Sequence, residues 1–202
     1  MRTGAARVRR RSAVCGVRSS KEPAIPGGRR GPKLGESPDP CQMIDISDFR
    51  RVVGHFASGV TVVTSQRPDG RPCGLTASAV CSVSLDPTLV LVCVEKSTES
   101  HRCIEESGVF AVNVLAGDGQ GETLARRFSE PRVEDKFMGI AYHPAHTGAP
   151  VLDGALAWLD CRLSDRCTGG DHTIFIGEVM AADACEGTPL LYYRGGYGRF
   201  AP

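Results

Sequence analysis

The chain has 202 residues, 41% of them apolar, which suits one domain with one sizeable core and room for a tail. Its formal charge of +1 hides an asymmetry: residues 1–42 carry ten Lys or Arg against three acids, and the remainder carries fourteen against twenty. An acidic body lacks the basic footprint that nucleic-acid binding needs, and no apolar run reaches the length of a transmembrane helix.

Residues 1–42 are rich in Arg, Gly, Pro and Ser and show no apolar periodicity. They are expected to be a disordered basic extension, with a polyanion-binding tail or a targeting peptide as functional alternatives. Met43 opens the folded part, and translation starting there is a further reading. The expected domain is therefore 43–202. Nine cysteines include no C-x-x-C pair, so neither a zinc site nor a redox dithiol is indicated. Several sit in apolar runs such as Leu91-Val92-Cys93-Val94, which fits buried free thiols in a reducing cytoplasm.

From Ile44 the pattern becomes orderly. Ser47 is placed to cap a helix on which Phe49, Val52, Val53 and Phe56 form one apolar face, and Gly59 can end it. Val60 to Thr64 is β-branched throughout and reads as a strand, followed by a Pro68-Asp69-Gly70 turn and a returning strand over Cys73 to Ser78. Leu89 to Val94 reads as a buried strand, 97–106 as a short helix closed by Gly108, and Val109 to Leu115 as another strand. A helix over 120–128 follows, with Leu124 and Phe128 on one face. A long hairpin then turns at Gly169-Gly170-Asp171, and Leu190 to Arg194 is a last strand. About seven strands with short helices predict a mainly β, antiparallel, closed or partly closed barrel.

Conventional catalytic patterns are missing: there is no G-x-S-x-G and no H-E-x-x-H. Gly117-Asp118-Gly119-Gln120-Gly121 approaches a dinucleotide fingerprint, but Glu122 or Leu124 stands where a third small residue is needed, so it reads as a glycine-rich loop. His143 and His146 read as surface histidines. Two segments carry more. Gly74 to Pro87 combines small residues with hydroxyls, which lets a flat ring lie against the backbone; a hydroxyl-rich barrel rim is the alternative. Gly169 to Val179 places His172 at a strand start, where it is either structural or functional.

Eight segments in order resemble the short-chain flavin reductase family, the reductase components of two-component flavin-dependent monooxygenases. They are "FRRVVGHFASGVTVVT" (49–64), "GLTASAVCSVSLDP" (74–87), "LVLVCVEKSTES" (89–100), "FAVNVL" (110–115), "ARRFS" (125–129), "DKF" (135–137), "GDHTIFIGEV" (170–179) and "PLLYYRGGY" (189–197). The resemblance implies an FMN-binding split β-barrel of Greek-key type, with about six to seven antiparallel strands, usually a homodimer. It implies hydride transfer from NADH or NADPH to FMN or FAD, with reduced flavin passed to a partner monooxygenase. Residue by residue it points to Thr76, Ala77, Ser78, Ser82 and Ser84 at the flavin ring and ribityl chain. Ser97 and Ser100 match positions near the phosphate, and Asn113, Val114 and Leu115 a strand end at the flavin. His172 matches a nicotinamide-positioning histidine that is not a general base, and Tyr193 and Arg194 a segment holding the pyridine nucleotide. No metal is implied. Two other classes stay open: a flavin carrier or sensor without rapid turnover, and a split-barrel enzyme with tightly bound flavin acting on an organic substrate.

Overall fold

The computed structural model describes residues 44–200; the expected extension over 1–42 lies outside the described residues. The chain opens with helix α1 (Ile46–Val53). Asp45, not Ser47, is its N-cap: the Asp45 carboxylate accepts the Ser47 N–H at 2.7 Å. Gly54 is the C-cap, and Gly59 belongs instead to a two-residue strand, β1 (Ser58–Gly59). The expected apolar face exists, but Phe49, Val52 and Val53 are each half exposed or more, so nothing in the described chain covers it.

Strands β2 (Thr61–Gln66), β3 (Pro72–Ala77), β4 (Val80–Leu85) and β5 (Thr88–Glu95) follow, then helix α2 (Glu99–Ser107) and strand β6 (Val109–Val114). Thr98 caps α2 at its start, and Gly108 stops it with a φ of 69°. Helix α3 (Gly119–Ser129), the short hairpin β7 (Tyr142–Pro144) and β8 (Pro150–Leu152), and the long hairpin β9 (Ala157–Gly169) and β10 (His172–Ala184) come next. The chain closes on β11 (Leu190–Tyr193) and β12 (Gly196–Arg199). Their two-residue turn, Arg194-Gly195, has φ of 49° and 84°, the left-handed pair that suits strand twist.

One seven-stranded antiparallel sheet runs β3-β2-β6-β9-β10-β5-β4. Its two edge strands, β3 and β4, are consecutive in the chain and separated only by Ser78 and Ala79. A residue spans at most about 3.6 Å, so the sheet must curl until its edges nearly meet. The Cys93 N–H donates to the Ala79 carbonyl at 3.0 Å, tying that connection to β5. The result is the expected mainly β split barrel.

The barrel interior is filled by Val63, Val92, Val94, Phe110, Val112 and Phe175, all inaccessible to solvent. Each large side chain buried there contributes about 1.5–3 kcal/mol. Gly177 of β10 is glycine because a Cβ there would run into the Phe110 ring and Cys161. On the outer face, Val62, Leu115 and Leu190 pack against Leu124 and Phe128 of α3. β2 is thus buried on both sides, which is why its β-branched run has no polar alternation.

The glycine-rich loop before α3 has a packing explanation. A Cβ on Gly121 would collide with the Ala116 carbonyl, and one on Gly117 would lie 2.8 Å from the Pro189 oxygen. Asp118 caps α3 through the Gly121 N–H at 2.7 Å.

Candidate functional site

Two clefts adjoin along β3. The larger encloses about 1180 Å³ between β3, the start of α2, and the loop 130–138 that follows α3. The smaller encloses about 260 Å³ beside Thr76, Ala77, Ser78 and Ala79, with Cys93 and His172 on its other side. Leu75, Thr76, Glu95 and Thr98 line both, so the clefts share a boundary.

The boundary is held by local hydrogen bonds. Glu95 ends β5; its carboxylate accepts the Ser97 hydroxyl at 2.6 Å, and its carbonyl accepts the Thr98 hydroxyl at 2.8 Å. Thr98 in turn caps α2 through the His101 N–H. Ser97 and Ser100 therefore stand at the start of α2, where unpaired N–H groups favour an anion. Thr76 donates its hydroxyl to the Ala125 carbonyl at 2.6 Å, which fixes the middle of β3 against α3.

Charge is divided unevenly between the clefts. The larger one is lined by Arg67, Arg71, Arg127 and Lys136, together with several carboxylates. Arg67 is paired with Glu99 at 2.8 Å and Arg71 with Asp69 at 2.7 Å. Among the described residues, Arg127 and Lys136 bond only to carbonyl oxygens: Arg127 to Asp135 and Met138, Lys136 to Phe128. The Arg127 Nε is buried without a partner. Burial also holds the Lys136 ammonium below the ordinary lysine range. These two cations are thus underused by the protein and available to an anionic ligand.

The smaller cleft has no Arg or Lys in its wall. His172 enters it from the start of β10. Its Nδ1 is 2.7 Å from the Asp171 carboxylate, which leaves Nε2 for a ligand. That hydrogen bond and the histidine's charge hold the Asp171 carboxyl below its usual range. The tip carrying Asp171 is anchored twice by Lys96: its Nζ donates to the Gly170 carbonyl at 2.7 Å, and its backbone N–H to the Asp171 carbonyl at 3.0 Å.

The sequence-derived candidates divide accordingly. Thr76, Ala77, Ser78 and His172 come together in the smaller cleft, and Thr76, Ser97 and Ser100 in the larger. Ser82 and Ser84 lie on β4 outside both, with the Ser84 hydroxyl accepting the Asp86 N–H at 3.2 Å. Asn113 is fully buried, and its amide is spent inside the framework. Its Nδ2 donates to the Val62 carbonyl and the Thr64 hydroxyl, and its Oδ1 accepts the Leu152 N–H. Val114 and Leu115 line neither cleft; Leu115 belongs to the outer core. Tyr193 ends β11 and Arg194 begins the β11–β12 turn beside α1, where the Arg194 N–H donates to the Gly54 carbonyl at 3.0 Å. Sequence reasoning gave no role to Glu95, Thr98, Arg127 or Lys136. The last two fall in the "ARRFS" and "DKF" segments, where a base beside a phenylalanine was the available signal.

Residues 53–201 match the family model described as a flavin reductase like domain. The reductase component of a 4-nitrophenol 4-monooxygenase/4-nitrocatechol 2-monooxygenase from Rhodococcus opacus is 47% identical over 80% of this chain and 84% of its own. The flavin reductase (NADH) of Kitasatospora aureofaciens is 41% identical over 78% of this chain and 83% of its own. Among solved structures, the NADH:FAD oxidoreductase of Streptomyces globisporus, in complex with NAD and FAD fragments, superposes with a TM-score of 0.72. It has 41% identity and covers 80% of this chain and 98% of its own. With this match spanning the barrel and both clefts, the chain belongs to the flavin reductase-like family.

Proposed function

We propose that the chain transfers hydride from NADH or NADPH to FMN or FAD and supplies the reduced flavin to a monooxygenase. The observation that carries this reading is the pair of adjoining clefts, with the underused cations confined to the larger one and His172 to the smaller. Flavin phosphate suits the first, beside Ser97, Ser100, Arg127 and Lys136. The flat ring suits the small side chains at Thr76, Ala77 and Ser78. Hydride transfer is the chemistry of the two cofactors themselves.

The protein's part is placement. Asp171 fixes the His172 ring, and His172 Nε2 positions the nicotinamide portion of the coenzyme over the smaller cleft. Holding two rings at about 3–3.5 Å supplies most of the acceleration in such a transfer. No acid–base dyad or protein nucleophile is required, in keeping with a site built of hydroxyls, cations and one oriented histidine. The carrier and bound-cofactor alternatives are less well supported, because the relatives are themselves named as flavin reductases.

The apolar face of α1 supports a homodimer: among the described residues nothing covers Ile46, Phe49, Val52 and Val53. The partner monooxygenase is proposed from relatives such as the Rhodococcus opacus reductase component. Cytoplasmic placement is proposed from the seven described cysteines, all of them free. No helix among the described residues is long and apolar enough to cross a membrane.

NADH oxidation, followed by absorbance with FMN, FAD or no added flavin, tests the function. Turnover that saturates with added flavin is the expected result. A flavin that stays bound through purification, with no stimulation by added FMN or FAD, would overturn it.

A further inference from the structure

His101 is a buried histidine that the proposed hydride transfer does not yet use. It is the third residue of α2, and its Nε2 is hydrogen-bonded to the Thr173 hydroxyl of β10 at 2.8 Å. Its chain neighbour Ser100 lines the larger cleft, and Thr173's chain neighbour His172 lines the smaller one. A single bond thus joins the start of α2, at the larger cleft, to the start of β10, at the smaller one.

The surroundings leave the imidazole little freedom. Its ring packs on Phe175 with centroids 5.1 Å apart. Thr173 and Phe175 are two positions apart in β10, so both project from one face of the strand, and His172 projects from the other. At the second ring nitrogen, the Glu105 carboxylate lies 3.7 Å from Nδ1 and accepts Nη1 of Arg166, on β9, at 3.2 Å. α2 therefore grips both strands of the long hairpin whose tip carries Asp171.

The two ends of the link are held differently. α2 is fixed without the His101 side chain: the Thr98 hydroxyl accepts the His101 backbone N–H, Glu99 pairs with Arg67 at 2.8 Å, and Ile104 lies in the barrel core. At the other end, His172 and Thr173 are the last rungs of the β5–β10 ladder, and among the described residues no other side chain bonds the Thr173 hydroxyl. The ladder sets spacing along the strand, and His101 sets how the start of that strand stands against α2. Loss of the imidazole is therefore felt at His172 more than at Ser100.

We propose that His101 is a positioning residue for hydride transfer: acting through Thr173, it sets His172, and with it the nicotinamide coenzyme, against the flavin at the start of α2. This rests on the flavin reductase reading. His101 itself touches neither cofactor.

The test compares His101→Leu, His101→Gln and Thr173→Val in the full chain. Leucine keeps apolar packing on Phe175 and removes the hydrogen bond; glutamine can restore a polar atom near the place of Nε2; valine removes the hydroxyl from the other side. His101→Leu and Thr173→Val should each lower kcat/KM for NADH about tenfold, with the flavin KM within about twofold. The double variant should lose no more than about the larger single loss, because both substitutions break one link. His101→Gln should return kcat/KM to within about threefold of wild type. Nitrogen-15 spectra of the histidine rings give a readout that needs no turnover. The His172 signals, assigned by their absence in His172→Ala, should shift or broaden in His101→Leu and return in His101→Gln.

Unchanged His172 signals and NADH kinetics in folded His101→Leu or Thr173→Val would overturn the proposal, even if stability fell. So would equal losses for flavin and NADH, or a folded His101→Gln as impaired as His101→Leu. Thr173→Val decides the matter should His101→Leu fail to fold. Wild-type protein that oxidises no NADH with any flavin strikes the reductase reading instead, and the ring signals then still decide whether His101 sets His172.

Discussion

Glu95 and His172 are direct partners in the β5–β10 ladder, and both side chains line the smaller cleft. A residue at the end of one strand and a residue at the start of another, 77 positions later, thus lie side by side in the wall of one cleft. The ladder fixes their spacing, and Asp171 fixes the His172 ring.

His172→Ala should raise the KM for NADH about tenfold or more, the effect of losing one hydrogen bond to a polar or charged ligand, and leave flavin affinity within about twofold. Asp171→Asn should fall between the two, because the ring stays but its orientation loosens. Initial rates with each substrate varied separately decide it. An equal loss of flavin affinity would move His172 from the coenzyme to the flavin.

Asn113 should prove a framework residue. Asn113→Ala orphans the Leu152 N–H and leaves the Val62 carbonyl and Thr64 hydroxyl short of a donor, at a cost of about 2–4 kcal/mol. Denaturant unfolding should show that loss, while the surviving folded enzyme keeps a flavin KM close to wild type. A normal stability with a raised flavin KM would instead make Asn113 a contact.

Lys136 links alkaline pH to binding. Its affinity for a proton is lower in the folded chain than in the unfolded one, because burial disfavours the ammonium. Between the two proton affinities the unfolded chain holds more protons, so stability rises with pH in that interval. Loss of the cation should weaken anion binding over the same interval, so the flavin KM rises as stability improves. Lys136→Met should show the raised KM already at neutral pH and a flat alkaline limb.

The α1 face gives a prediction about assembly. Phe49→Lys puts a charge into an apolar surface that a second chain would have to cover. Light scattering should report a dimer for the wild type and a shift toward monomer for the variant. Unchanged mass would remove α1 from the interface.

Much of this fold was legible in the chain. β2 and β5 announce themselves because strands buried on both faces need uninterrupted apolar or β-branched residues, and the turn residues around them are unambiguous. β4 was not read as a strand: it sits at an open sheet edge with Cys81, Ser82 and Val83 exposed, so its sequence shows hydroxyls where a core strand would show alternation. The short strands β1, β7, β8 and β12 carry too few residues to show a period. The helix-start assignment slipped from Asp45 to Ser47 because both residues take part in the same cap. At the site, His172 and the Thr76–Ser78 segment were recognisable as motifs. Glu95 was not, because its importance comes from the neighbour that the ladder supplies.

The connection at Ser78 and Ala79 has a consequence for how such a protein can diversify. The two residues that join the sheet's edges also border the smaller cleft, so the seam of the barrel and the border of that cleft are the same stretch of backbone. An insertion there would disturb closure and ligand fit together. The loop 130–138 lies outside the seven-stranded sheet yet walls the larger cleft, so it can change length or charge without unpicking a strand. Altered flavin preference in descendants of this chain should therefore accumulate in that loop, leaving the seam nearly invariant.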